Sequence, residues 1–258
     1  MIKFLLISLE QALMYLPAIA GGYLAISLMM VPDLSLESAF TCGAVVGYTM
    51  LALCTELPFI ITLFLVLISS IVGGMIVGYC SSSLTQYMKI PHLLSSIITI
   101  GLFHGIIQLV LGTSNASFHK FGNPLTSQLV GSAHPELFAF GMIGLVIAVL
   151  LFFILKTEIG YCFAIYGRNK LFFAHHRICE SYLFISGIVM SNGLAGLSGY
   201  LCAQSNGFVD ISMGFGVTLF IITALILGKT ITQRSSVSLL IPLVGVISYF
   251  MLQQALLK

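Results

Sequence analysis

Eight apolar stretches, at roughly residues 4–31, 39–55, 58–79, 91–111, 137–155, 181–203, 211–227 and 237–257, carry almost no charge along their lengths. A helix needs about 20 such residues to cross a hydrocarbon core of about 30 Å. The stretches are continuous rather than alternating, so they read as helices and not as strands of a barrel. Only 7% of the 258 residues are charged, 59% are hydrophobic, and mean hydropathy is +1.10. That leaves too little polar surface to coat a water-soluble globule of this size. The expected fold is all-α, a polytopic membrane helix bundle of about eight transmembrane helices forming one domain, residues 1–258.

Two of the stretches are interrupted by the same phrase. Gly22-Tyr23-Leu24 is followed by Asp33-Leu34-Ser35-Leu36, and Gly199-Tyr200-Leu201 is followed at the same interval by Asp210-Ile211-Ser212-Met213. Residues 22–41 and 199–218 also share Thr41 and Thr218. An acid that interrupts an apolar stretch in two corresponding places is the sequence pointer to paired broken helices around a transport site. The first repeat covers about 4–111 and the second about 137–257. The second and seventh stretches are short for a full crossing and each follows a break, which puts both breaks within the membrane slab.

Charge placement gives the orientation. Lys156, Arg168, Lys170 and Arg177 gather between the fifth and sixth stretches, so that loop is expected to face the cytoplasm. Parity then puts Lys89, Lys229 and Arg234 inside and leaves Lys3, Lys120 and Lys258 outside, with both termini external. In this topology the two copies of the repeat are inverted, and their breaks approach the midplane from opposite sides.

Several residue types bound the chemistry. A carboxylate at the bilayer centre costs about 2.5–3.5 kcal/mol on insertion scales, so Asp33, Glu37 and Asp210 need water, a partner or a helix end. Capping the next helix and lining a pathway both remain open for Asp33, Ser35, Glu37, Asp210 and Ser212. Asn192 binds another helix or lines a path, and the same pair of readings applies to His104 and Gln108, which lie four apart on one helix face. Gly43-x-x-x-Gly47, Gly74-x-x-x-Gly78 and Gly101-x-x-x-Gly105 are expected to pack within the chain rather than form a dimer seam.

Other features exclude functions. The six cysteines have no ligand spacing, so no metal, cofactor or redox pair is expected. Gly228-Lys229-Thr230 lacks the upstream glycine of a phosphate loop, because position 223 is Thr. Net charge of +2 gives no reason to expect nucleic acid. Lys3 and Ala18-Ile19-Ala20 mimic a secretory signal, but Glu10 interrupts the run and the chain stays apolar past Gly21. A polar segment at about 157–180 is the natural docking surface. A short amphipathic helix over about 167–178 would present Phe172 and Phe173 to a cleft and Arg168, Lys170 and Arg177 to acids, although lipid-surface adhesion explains the same composition.

The run Pro32-Asp33-Leu34-Ser35-Leu36-Glu37-Ser38-Ala39-Phe40 resembles a phrase of bacterial ATP-binding cassette (ABC) importer permeases of the branched-chain amino acid permease superfamily. Lys89-Ile90-Pro91, Lys156-Thr157-Glu158-Ile159-Gly160 and the stretch from Ser191 through Gly199 to Gly207–Gly214 add to the likeness. The branch it most resembles handles tryptophan, tyrosine or related substrates. The resemblance implies a permease homodimer in the bacterial inner membrane, two cytoplasmic ATPase subunits that hydrolyse the ATP, and an external substrate-binding protein. It also implies that the segment carrying Gly167, Arg168, Asn169, Lys170, Phe172, Phe173 and Arg177 couples to the ATPase. This segment is bulkier and more basic than the family pattern. Lys229 stands where Glu is common, and the family usually has a further helix near its end. An ion- or proton-coupled carrier acting alone, and a non-transporting scaffold, are the alternatives the residues allow.

Overall fold

The computed structural model describes residues 2–54, 57–118, 135–169, 172–173, 179–233 and 238–256. Helix α1 (Ile2–Gly22) is prolonged by a π-helical turn, Tyr23–Leu28, and is followed by α2 (Ser35–Leu53), α3 (Phe59–Met88) and α4 (His92–Leu111). Strand β1 (Asn115–Ser117), α5 (Pro135–Lys156) and α6 (Glu158–Arg168) come next, then α7 (Glu180–Asn206), β2 (Phe208–Asp210), α8 (Val217–Thr232) and α9 (Leu240–Leu256). Among the described residues six spans are long and apolar enough to cross a membrane, while α8 and α9, with 16 and 17 residues, are shorter apolar helices. The all-α bundle expected from the sequence is the fold observed.

The surface is apolar and much of the polarity is inside. Leu109, Ile60, Phe64, Leu219, Leu145 and Phe153 are all more than 60% exposed, as suits side chains whose solvent is lipid. Asp33, Ser35, Ser70, Ser191, Asn192 and Ser198 are buried at 1% or less. Packing depends on glycine. Gly43 lies on Gly196, Gly47 on the ring of Tyr200, Gly74 on the backbone of Asn192, and Gly196 on Ser70 and Gly74. These contacts draw α2, α3 and α7 into the centre, because small residues let helix backbones approach where apolar burial gives no net drive between helices.

Two of the three Gly-x-x-x-Gly pairs therefore pack within the chain as expected. The third does not: a Cβ on Gly101 or Gly105 would meet nothing within 4 Å. Two other differences stand out. Helix α3 runs to Met88, well beyond the apolar run that ended near residue 79, and the hydroxyls of its polar last turns are satisfied by carbonyls one turn back, with Ser82 Oγ donating to Gly78 O and Thr85 Oγ1 to Ser81 O. A small antiparallel ribbon also forms, with Asn115, Ala116 and Ser117 opposite Asp210, Val209 and Phe208.

The bundle has a basic end. Lys89 follows α3, Lys156 and Arg168 close α5 and α6, and Lys229 lies in the last turn of α8. Helices α3 and α7 are antiparallel, with Ser181 Oγ donating to Gln86 Oε1 near that end.

Gly196→Leu is expected to destabilise the fold by about 1–3 kcal/mol or more through overpacking. Gly101→Ala, which meets no neighbour, should be neutral or gain up to about 1 kcal/mol from helix propensity. Unfolding of both variants in detergent micelles checks this pair, and equal losses would contradict the packing described.

Candidate functional site

The first break begins where α1 widens into the π-turn. Met29 N donates to Leu24 O at 3.1 Å and Val31 N to Ala25 O at 2.9 Å, over-long steps that unwind the helix. Met30, at φ 53°, then reverses the chain, and Pro32 prevents the helix from resuming. Asp33 restarts it. Its Oδ1 accepts the Ser35 amide at 2.9 Å and the Ser35 hydroxyl at 2.6 Å, supplying an acceptor to a free N–H at the start of α2.

Distant elements complete this carboxylate's surroundings. Asn192 Nδ2 donates to Asp33 Oδ2 at 2.8 Å and to Ile188 O at 2.9 Å, while the Ser35 hydroxyl also lies 3.1 Å from Asn192 Oδ1. His92, the first residue of α4, places Nε2 3.3 Å from Asp33 Oδ1, an ion-pair distance without good hydrogen-bond geometry. Its Nδ1 is 2.9 Å from Thr85 Oγ1 on α3, and its ring meets Phe184 edge-on at 5.2 Å. Residues from α2, α3, α4 and α7 thus converge on Asp33.

The second break repeats the local chemistry. Gly207, at φ 77°, ends α7, and after β2 the Asp210 Oδ1 accepts both the amide of Ser212, at 2.6 Å, and its hydroxyl. Gly216, at φ 81°, then leads into α8. Unlike Asp33, Asp210 is only partly buried.

Helices α1 and α7 are antiparallel, with Ser191 Oγ donating to Gly21 O and Ser198 Oγ to Met14 O. The break after α1 therefore lies toward the end where α7 begins, and the break after α7 toward the end where α1 begins. The repeated glycines pack reciprocally: Gly22 lies on Ile221 of α8 and Gly199 on the backbone of Phe40 of α2. Each repeat thus seats its glycine on the helix that follows the other repeat's break.

Glu37 joins the two. From the first turn of α2 its Oε1 accepts the Gly216 amide at 3.1 Å. It caps α8, a helix of the other repeat, where a carboxylate suits the positive end of the dipole. Gly214 packs against the Glu37 carbonyl and the Thr41 hydroxyl.

The structure brings together Asp33, Ser35 and Asn192 in one cluster and Asp210 with Ser212 in another, with Glu37 beside the second break. Sequence reasoning missed His92 and Thr85; the only signal was a histidine directly after Lys89-Ile90-Pro91 at a helix start. Gly167 and Arg168 end α6, and Asn169 follows as its cap. Gly167 packs directly on Leu28 O and Met29, at the mouth of the first break. The sequence predicts a helix beginning near 167, but residues 167 and 168 instead end α6, and residues 170, 171 and 174–178 lie outside the described residues. Phe173 is fully buried, 6.3 Å from Tyr166 and 5.6 Å from Phe172, so its ring belongs to the bundle rather than to an exposed docking face. Lys170 and Arg177 lie outside the described residues. Among those described, no three His, Cys, Asp or Glu side chains could hold a metal ion.

Residues 4–258 match the family described as branched-chain amino acid transport system / permease component. The chain is similar to an uncharacterised protein of Rickettsia prowazekii (strain Madrid E), 31% identical over 230 residues that cover 89% of this chain and 78% of that one. It is similar to the tyrosine transport system permease protein of Clostridioides difficile (strain R20291), 28% identical over 214 residues, 83% of this chain and 69% of that one. It also resembles the autoinducer 2 import system permease protein LsrC of Escherichia coli (strain SMS-3-5 / SECEC), 25% identical over 165 residues, 62% of this chain and 46% of that one. No solved structure gives a significant match.

Asn192→Leu should leave the buried Asp33 carboxylate short of a donor and destabilise the fold by about 1–3 kcal/mol or more. Asp210→Asn, at a partly exposed site that keeps its acceptor oxygen, should change stability by no more than about 0.5 kcal/mol. Thermal unfolding in micelles separates the two, and similar losses at both sites would show that the breaks are equally anchored.

Proposed function

Because the chain belongs to the family of branched-chain amino acid transport system permease components, a family of transport components rather than enzymes, we propose that it is the membrane-spanning subunit of an ATP-binding cassette importer. It would move a small polar solute, of the amino acid class, across the bacterial inner membrane by alternating access. The carrying observation is the pair of breaks that lie toward opposite ends of the bundle and meet through Glu37. A break on each side of a shared midpoint is what opening first to one face and then to the other requires. The tyrosine transport permease among its relatives supports an amino acid as solute.

Two cytoplasmic ATPase subunits, an external substrate-binding protein and a second copy of this chain complete the assembly. The coupling surface is the end of α6 with the basic residues after it. Phe163 and Tyr166 bury the inner face of α6, whereas Arg168 and Asn169 are exposed. A push on this helix reaches Leu28 and Met29 through Gly167 without an intervening side chain. Asp33, Ser35, Glu37, Asn192, Asp210 and Ser212 hold the two gates, and Gly167, Arg168, Asn169, Lys170, Phe172 and Arg177 receive the stroke.

Co-purification with an ATPase tests the assembly. Replacing Arg168, Lys170 and Arg177 together by Glu is expected to abolish co-purification while leaving the permease folded. Gly167→Val should keep the complex but reduce ATP-driven uptake in proteoliposomes, since the added methyls collide with Leu28 O. An unchanged complex after charge reversal would remove the coupling assignment, and uptake driven by an ion gradient without any ATPase would favour a carrier acting alone.

A further inference from the structure

The hydrogen bonds that hold Asp33 all come from neutral groups: the Ser35 amide and hydroxyl and the Asn192 side-chain amide. Among the described residues, the one side chain within ion-pair reach of it that can carry a positive charge is His92, whose Nε2 lies 3.3 Å from Asp33 Oδ1. Both side chains are withdrawn from solvent, at 8% and 0% exposure. A carboxylate this deeply buried is costly unless a charge of opposite sign accompanies it. The charge state of His92 therefore bears directly on how firmly the first break is held.

The surroundings of the ring say where its protons go. Thr85 has one hydroxyl proton and donates it to Ser81 O at 3.1 Å. Its oxygen is left to accept from His92 Nδ1, 2.9 Å away. With Nδ1 protonated, a neutral ring would turn an electron pair at Nε2 toward the Asp33 carboxylate, whereas a ring protonated at both nitrogens turns positive charge there. A neutral ring with its proton on Nε2 would instead draw the Thr85 proton off Ser81 O. Nε2 has no hydrogen-bond partner among the described residues, so the contact with Asp33 is one of charge. At the start of α4 the helix dipole opposes a cation, and Asp33 supplies the attraction that offsets it. The other ionisable groups on the surrounding elements are Glu37 of α2, Tyr87 of α3, Lys89 in the connection to α4, Tyr166 of α6 and Glu180 in the first turn of α7. Tyr87 and Lys89 are exposed, Glu180 is half-buried, and Glu37 is bonded to Gly216 at the other break.

We propose that His92 is a positioning residue of the first gate that acts through Asp33: charged, it holds the break shut, and neutral, it lets the break open. Histidine exchanges its proton between about pH 5 and 8, so the hold is present at the acid end of that range and is lost as pH rises. By reciprocity, a proton that favours the closed break leaves the ring when the break opens. It passes to water at the basic end of the bundle. This deepens the permease reading and rests on it, adding proton control to one of its two gates.

Full-length protein in nanodiscs would be followed by amide hydrogen exchange over residues 24–37, from about pH 5.5 to about pH 8.5, with the intrinsic pH dependence of exchange divided out. Exchange in the wild type is expected to become about tenfold faster across this range, a modest effect on the scale of about 5–150-fold for coupled equilibria. His92→Gln, polar but never charged, should exchange fast at every pH. His104→Gln, on an exposed face of α4, should keep the wild-type response. Thr85→Ser retains the acceptor for Nδ1 and should also keep it, whereas Thr85→Val should lose most of it. Should His92→Gln not fold, the Thr85 pair carries the test. A flat wild-type profile, a response that survives His92→Gln, or equal responses in the two Thr85 variants overturns the proposal. Each of these would leave ATPase co-purification intact, whereas failure of the permease reading would remove co-purification and leave the exchange profile.

Discussion

A backbone that breaks its helix within a bilayer must find new partners for every N–H it frees, because lipid offers none. Each helix start exposes such donors, and this bundle has two starts inside the structure rather than at its ends. Asp33 satisfies one at α2 and Glu37 one at α8. The acids, costly by themselves in this setting, are offset by the donors they serve. That mutual requirement explains why a chain with so few charged residues keeps carboxylates at its helix breaks.

Glu37 makes the two repeats one mechanical unit. It belongs by sequence to the first repeat and by hydrogen bonding to the second. Gly22 against Ile221 and Gly199 against Phe40 form a second, reciprocal linkage, so neither post-break helix can shift without disturbing the helix before the other break. On the permease reading this answers how a movement started at one face reaches the other. The end of α6 touches Leu28 and Met29, the first break is held to α7 by Asn192, and the start of α2 holds the start of α8. The chain of contacts consists of backbone, glycine and short polar side chains, which transmit displacement with little rotamer slack.

Legibility in the sequence followed the range of the interactions. The apolar runs are a local property and gave the bundle, its helices and even its basic end. The repeated Asp-x-Ser phrase gave the two breaks, because an acid accepting bonds two residues away is also local. What escaped was long-range. Nothing near His92 or Thr85 says that they will meet a carboxylate from a different helix, and Glu37 gave no sign that its partner lies 179 residues away. The polar end of α3 was lost because hydropathy stops at residue 79, whereas the serine and threonine hydroxyls beyond it are satisfied by carbonyls one turn back. Identical Gly-x-x-x-Gly spacing likewise did not distinguish the buried pairs from the open one at Gly101 and Gly105, since the spacing says which face is small but not what covers it.

The two breaks share one local motif but differ in what holds them shut. Asp33 is 1% exposed and accepts from Asn192 as well as from its own turn, with His92 and Thr85 behind it. Asp210 has its own turn alone, and its segment is held by Glu37 and a three-residue ribbon. Opening the first break must sever a buried charge from several donors, a change that costs more than parting a short ribbon at a partly exposed surface. The first break is therefore the more firmly held of the two. Passage to the other state has to begin by replacing the partners of Asp33, and α6 touches the backbone leading into that break at Leu28 and Met29.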